Sequence, residues 1–431
     1  MAHTPAAPDR RFQAYLERLS RALGHRDRRE PLRAYLTGLC LPGARKSIEP
    51  MAARVDPRHV RARHQSMHHF VAHAPWDDTA VLRVARDWVL EPMERHGPVA
   101  AWIVDDTGIP KKGRHSVGVA RQYCGALGKQ ENCQVAVTLS LANEAVSLPV
   151  AYRLYLPEGW ADARRRRRAA GVPEDVVFQP KWEIALEAIT ALHREGLPPA
   201  PAVADAGYGV VTEFRDALTR QGIPYVVGVS GETSVWPPGL EPLGPRRWSG
   251  RGRPPTRLRR TRRARPVPLT TLAEQLAPKA WRTVMWRQGT RGSLRSRFAW
   301  LRVRPAHRDE HRHQPRPVEW LLIEWPKGAP EPTKFWLSTL PADTAVAQLV
   351  RLAKLRWRIE RDYQELKDEF GLDHFEGRSW RGFHHHGSLC IAAYAFLAAE
   401  RARLSPPEPL SFLRPARLPR GFTPRGAPSA A

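Results

Sequence analysis

The 431-residue chain has little cysteine: Cys40, Cys124, Cys133 and Cys390, with no pair at CxxC spacing. That excludes a zinc ribbon and a dithiol redox motif, and it fits a reducing, intracellular setting. Long apolar runs are missing too. The longest, Leu389 to Ala399, is too short to cross a bilayer, and the opening MAHTPAAPDRRF lacks the apolar stretch of a secretion signal. Neither a secreted nor a membrane protein is expected; the expected location is cytoplasmic. Acidic residues are scarce, with 43 Asp plus Glu against 69 Lys plus Arg and a net charge of +26. With 42% hydrophobic residues the chain can still build cores, which excludes a wholly disordered basic protein. A charge this far from zero points to a polyanionic partner, DNA or RNA. No internal repeat is present, and the length suggests two or three domains.

The texture changes along the chain. Phe12, Tyr15, Leu16, Leu19 and Leu23 recur at helical spacing, and 59–73 and 79–89 read the same way, so residues 1–95 form a helical region. From Val99 the pattern becomes strand-like: Val99 to Val104, Val117 to Tyr123, Cys133 to Leu141 and Val146 to Leu156, with Ala142-Asn143-Glu144 as a hairpin turn. A polar, arginine-rich loop covers 159–180. A helix (182–192), a short strand (201–204), a helix (211–221) and a strand (225–229) follow. Pro, Gly and Arg dominate 237–268, and strands at 282–286, 296–303, 318–324 and 334–337 indicate a β-rich, basic insertion over 231–343. The pattern turns helical again from Thr344 to Phe370 and from Cys390 to Glu400. Residues 403–431 are a Pro/Arg-rich tail.

Three carboxylates stand out. Asp105, or its neighbour Asp106, follows one apolar strand and Asp205 follows another, where a side chain projects toward a ligand. Glu360 lies in the helix read at 352–370, with Arg356 and Lys367 four residues before and seven after it, on one helical face. Leu352, Leu355, Ile359, Tyr363 and Leu366 form the adjoining apolar stripe. Gathered carboxylates are hard oxygen donors suited to Mg²⁺ or Mn²⁺, and two such ions about 4 Å apart serve phosphodiester cleavage. Adjacent strand residues face opposite sides, so only one of Asp105 and Asp106 can serve.

These residues resemble a family. IVDDTG (103–108), VADAGYG (203–209) and RWRIERDYQELK (356–367) look like the three catalytic motifs of DDE-superfamily bacterial insertion-sequence transposases, in the group containing the Tn-five and Tn-ten transposases. FWLSTLP (335–341) resembles the strand before their last helix, and RKSIEPMA with RHQSMHHFVA resembles one insertion-sequence subgroup. The resemblance implies an α/β fold: an RNase H-like mixed sheet flanked by helices, interrupted by a β-rich insertion, with a helical N-terminal DNA-binding region at 1–95. The catalytic core is then split into 96–230 and 344–402. It implies that Asp105 (Asp106 as the alternative), Asp205 and Glu360 bind two Mg²⁺ ions, with Mn²⁺ as a substitute. The enzyme would cut double-stranded DNA at transposon ends and join the freed 3′-OH to target DNA, as a dimer in the synaptic complex, nucleoid-associated in a bacterium. Of the family's Tyr, Arg, Glu, Lys signature, Arg356, Glu360 and Lys367 match, whereas the tyrosine position falls on Ala353.

Arg356 and Lys367, flanking Glu360, are expected to position DNA phosphates, and further cations are candidates for DNA contact. Lys111 and Lys112 follow the first motif, Arg164 to Arg168 form a dense run, and Arg251-Gly252-Arg253-Pro254 resembles the core of an AT-hook, an extended minor-groove peptide. Arg257, Arg259, Arg260, Arg262, Arg263 and Arg265 continue that last stretch. The His384-His385-His386 run has no Cys or acidic residue to complete a zinc set and reads as structural. Trp357 and Trp380 lie among basic residues but read as packing groups.

Overall fold

Apolar residues at helical spacing organise the beginning of the chain, as the periodicity indicates. In the computed structural model, which describes residues 7–261, 264–289, 292–309 and 312–405, five helices come first: α1 (Ala7–Ala22), α2 (Arg29–Cys40), α3 (Ile48–Val55), α4 (Val60–Ala72) and α5 (Asp78–Glu94). Strands β1 (Ala101–Pro110), β2 (Ala120–Cys124), β3 (Lys129–Ala142) and β4 (Ser147–Leu154) follow, then α6 (Glu158–Ala161), α7 (Arg164–Ala170) and α8 (Lys181–Arg194). After these come β5 (Ala202–Ala204), α9 (Ala206–Gly209), α10 (Thr212–Arg220), β6 (Tyr225–Val229), β7 (Ser234–Trp236), β8 (Val267–Pro268), α11 (Leu269–Glu274), β9 (Arg282–Gly289), β10 (Gly292–Pro305), β11 (Glu319–Trp325), β12 (Lys334–Ser338) and α12 (Val346–Lys354). Helices α13 (Trp357–Asp368) and α14 (Trp380–Leu404) close the described chain. The tail at 403–431 lies outside the described residues from position 406 on, as do Arg262 and Arg263. No described helix is long and apolar enough to cross a membrane.

The chain divides into two compact units: residues up to Ala200 with those from Arg356 on, and Pro201–Leu355. In the first, β3 is antiparallel to β1, β2 and β4. The β3–β4 turn forms where expected, because Asn143 satisfies both sides of it. Its Nδ2 donates to the carbonyls of Met93 and Gly97, and its Oδ1 accepts from Ala145 and Val146. Helix α14 runs through the core, buried along most of its length. Tyr15 of α1 donates its hydroxyl to the Ala392 carbonyl of α14 at 2.9 Å, and Arg11 pairs with Glu400. In the second unit, β5 and β6 are parallel, joined through α10. From β6 the sheet continues antiparallel through β12, β11 and β10, and β10 also pairs with β9 and β7. An antiparallel meander and a parallel pair, each with helical connections and a β-rich insertion, are consistent with an RNase H-like DDE fold.

Four readings are corrected. Asp105 and Asp106 lie in the middle of β1 rather than at its end, because Thr107 to Pro110 keep pairing with β3 (Ala136 to Cys133). The stretch at 159–180 contains α6 and α7 rather than only loop. Arginine propagates helix well, and Gly171, at φ +64°, ends α7. The helix read as continuous over 352–370 is two helices. They break at Leu355, whose N–H bonds back three residues to Leu352, so Arg356 caps α13 instead of lying inside it. The helix read at 390–400 begins at Trp380, where Ser379 Oγ accepts the Gly382 N–H at 3.1 Å.

The histidine run is structural, as read. His384 Nδ1 donates to the Trp380 carbonyl (2.9 Å) while Nε2 accepts the Leu154 N–H (3.1 Å). His386 Nε2 donates to the Gly371 carbonyl (2.9 Å), which leaves Nδ1 to accept the Tyr35 hydroxyl (2.8 Å). Both rings are satisfied as neutral imidazoles, and burial pushes His384 down and His386 to about 4. The unfolded chain, with an imidazole pKa near 6.5, takes up protons that the folded chain refuses. Stability is therefore full above 6.5 and falls as pH drops toward 4, by about 2 kcal/mol from His386 at about pH 5. Urea unfolding at neutral and mildly acidic pH checks this: a flat profile contradicts it, and His386→Gln is expected to reduce the acid dependence.

Candidate active site

The first carboxylate is built into β1. Asp105 is 8% exposed, and its strand partner on β3 is Thr138, whose Oγ1 donates to the Asp105 carbonyl at 2.9 Å. Its carboxylate accepts Arg356 Nη1 at 2.7 Å, and Arg356 Nη2 reaches Glu360 Oε1 at 3.1 Å. One guanidinium, 251 residues from the strand aspartate in sequence, thus joins it to a glutamate one turn into α13. Glu360 is largely exposed, whereas Ile359, Tyr363 and Leu366 beside it are buried and fix the helix. Asp106 takes the opposite side, as strand alternation requires, and pairs with Lys181 Nζ of α8 at 2.6 Å. Sequence reasoning missed Lys181. Nothing in its local sequence marks it, since the pairing is set by tertiary structure.

The flanking cations are partly engaged with backbone. Lys367 Nζ donates to the Gly108 carbonyl of β1 at 2.9 Å, and Lys111 Nζ to the Phe375 carbonyl at 2.8 Å. Burial lowers the pKa of both ammonium groups, against the pull of Asp373. Lys367 ties α13 to the end of β1, and Lys111, just after β1, ties to the segment after α13. Lys112 is exposed.

Asp205 belongs to the second unit and does follow a strand, as read. It caps α9: Oδ1 accepts the Gly207 N–H at 2.9 Å, and its carbonyl accepts the Gly209 N–H at 2.9 Å. This turn lies against β6 with no room for a side chain at Gly209 or Gly228. A Cβ on Gly209 would overlap the Gly228 carbonyl oxygen, and one on Gly228 would come within 2.9 Å of Ala206 N. Buried Arg215 of α10 locks the turn from beneath, donating to the Gly209 carbonyl and, at 3.2 Å, to Thr212 Oγ1.

Arg251 and Arg253 are exposed on a loop of the same unit. There Gly252 adopts φ +70° and its carbonyl accepts Trp248 Nε1 at 3.1 Å, a folded turn rather than an extended peptide. Among the described residues no three or more His, Cys, Asp or Glu side chains are grouped as a metal cage. Asp105 and Glu360 lie in one unit and Asp205 in the other. Their donor chemistry, carboxylate oxygen only, fits a hard divalent cation.

The family model of the DDE superfamily endonucleases matches residues 18–293, more than half of the chain. The chain belongs to the DDE superfamily of endonucleases. The matched stretch contains Asp105, Asp106 and Asp205 and stops short of Glu360. A relative from Microchaete diplosiphon, named probable transposase for insertion sequence element IS701, is 31% identical over 166 residues, 38% of this chain. That stretch covers 40% of the relative's own length.

Proposed function

We propose that this protein is a DNA transposase, cutting double-stranded DNA at the ends of an insertion sequence and joining the freed 3′-OH to target DNA. Family membership and the likeness to an insertion-sequence transposase support the class. The observation that carries the site is the Asp105–Arg356–Glu360 chain, which ties a buried strand carboxylate to an exposed one on α13. Asp105, Asp205 and Glu360 would hold two Mg²⁺ ions, with Mn²⁺ as a substitute. Bound there, the ions supply activation of a water nucleophile and stabilisation of the leaving oxygen. Arg356 orients both carboxylates and offsets part of their charge in the absence of a cation. Lys112, Arg251 and Arg253 offer exposed charge for DNA phosphates, while Lys111 and Lys367 hold β1 in place beside them. The protein would act as a dimer when two ends are synapsed, on DNA in the nucleoid.

The test is incubation with a labelled duplex carrying the terminal repeat that flanks the gene, plus a plasmid target and Mg²⁺. Joined products are expected. Cutting without joining would indicate a nuclease of the same fold, and no cutting by the intact chain would indicate a DNA-binding protein that has lost the reaction. Arg356→Gln is expected to slow single-turnover cutting about 100-fold while changing duplex affinity little, because it misplaces carboxylates rather than removing the DNA contact surface. Unchanged cutting would remove Arg356 from the site.

A further inference from the structure

The five consecutive arginines of α7 are not equivalent. Arg167 folds back onto the protein. Its Nη1 donates to the Ala161 carbonyl at 3.1 Å, and its Nη2 faces the carbonyls of Pro173 (2.8 Å), Glu174 (3.3 Å) and Val176 (2.6 Å). The Arg166 guanidinium lies 3.9 Å from the centre of the Trp160 ring, and its Nη2 donates to the Arg114 carbonyl at 3.1 Å. Trp160 is itself buried and donates to the Val119 carbonyl at 2.7 Å. Arg166 and Arg167 therefore fasten α7 in place, with Arg166 docking it on the segment after β1.

Arg164, Arg165 and Arg168 do something else. At positions i, i+1 and i+4 they share one helical face. All three are exposed, and their guanidinium groups have no hydrogen-bond or ion-pair partner among the described residues. Arg164 and Arg168 border an open groove of about 690 Å³ floored by residues 171–174. On the docked segment, Lys112 and Arg114 add two more exposed cations. Like charges at i,i+4 destabilise a helix, and a helix held rigidly by two neighbours cannot relieve that repulsion by fraying. Such a face is stabilised by a polyanion. Arginine's planar fork matches phosphate oxygens, and the clamps already fix where the three forks point.

We propose that Arg164, Arg165 and Arg168, with Lys112 and Arg114, form a DNA-backbone contact surface separate from the carboxylate site. It engages the phosphates of duplex DNA without reading sequence. The proposal rests on the reading of the chain as a DNA enzyme.

Salt titration of full-length protein binding to two duplexes, the terminal repeat and a scrambled duplex of equal length, tests it. Changing all three arginines to Gln is expected to reduce the slope of log K against log[salt] by about 2 to 3 and to weaken both duplexes equally. The triple Lys variant keeps the charge and is expected to keep most of the slope. Arg167→Ala is the contrasting case, lowering Tm by a few degrees, roughly the cost of losing carbonyl partners. The triple Gln variant is expected to keep wild-type Tm or raise it slightly, since it removes the i,i+4 repulsion. Wild-type binding with a slope that the triple Gln variant leaves unchanged overturns this proposal alone, as does a loss confined to one duplex. Wild-type protein that binds neither duplex overturns both this proposal and the functional reading beneath it.

Discussion

Replacing Glu360 with Gln is expected to lower DNA cutting about a thousandfold or more and to leave duplex binding and Tm close to wild type. The side chain is largely exposed and accepts one 3.1 Å bond from Arg356, so folding depends on it little. Gln keeps the shape but removes the charge that a hard cation requires, and losing several kcal/mol of charge stabilisation in the transition state corresponds to that factor in rate. Asp205→Asn is expected to behave alike. Its capping bond to Gly207 survives, since the Asn oxygen still accepts. Asp105→Asn differs in a useful way. Asp105 is buried and faces Arg356, so neutralising it also loosens the arginine and is expected to lower Tm slightly. Asp106→Asn weakens the half-buried pair with Lys181 and is expected to retain most activity. If Asp106→Asn is the dead variant and Asp105→Asn the active one, the first carboxylate has been assigned to the wrong side of β1. Rapid-quench cutting assays on the four purified variants, with thermal unfolding alongside, read all of this out.

Gly209→Ala carries the largest expected effect on stability. The new Cβ would overlap the Gly228 carbonyl oxygen, a contact of backbone with backbone that no rotamer change relieves. Either the α9 turn lifts off β6 or the β6 strand shifts, at about 4 kcal/mol or more. Both routes disturb Asp205, because the Gly209 N–H bonds to its carbonyl. Gly207→Ala is the matched control. Its nearest neighbour is an Asp205 side-chain oxygen at 3.1 Å, so it is expected to be far milder. Denaturant unfolding of the two variants separates them. Equal midpoints would show that the turn is not packed as described.

Much of this was legible from short patterns. Asp205 was readable because four apolar residues ending in Asp-Ala-Gly-Tyr-Gly make a brief strand entering a turn, and both determinants are local. The Asn143 hairpin was readable for the same reason. The place of Asp105 within its strand was not. Asp-Asp-Thr-Gly looks like a turn, and only pairing with β3 about 30 residues on extends the strand through it. The i,i+4 relation of Arg356 and Glu360 was visible from spacing. That the same guanidinium also reaches Asp105 depends on how β1 and α13 pack. The break between α12 and α13 was hidden because no Pro or Gly interrupts an apolar period that runs through Leu355. The arginine run looked like a loop since charge density alone argues against order. Its order comes from Trp160 and from carbonyls at 161 and 173–176, which local composition does not reveal.

The most direct test of the central claim is metal-specific rescue. Asp205→Cys replaces a hard oxygen donor with a softer sulfur, which binds Mg²⁺ poorly and Mn²⁺ better. Single-turnover cutting of terminal-repeat DNA is measured for wild type and Asp205→Cys in Mg²⁺ and in Mn²⁺. Wild type active in both ions, with the variant inactive in Mg²⁺ and substantially restored in Mn²⁺, is the result expected if this carboxylate holds a catalytic metal. A variant that cuts as well as wild type in Mg²⁺, or one equally dead in both ions while folded and bound to DNA, would contradict that role for Asp205.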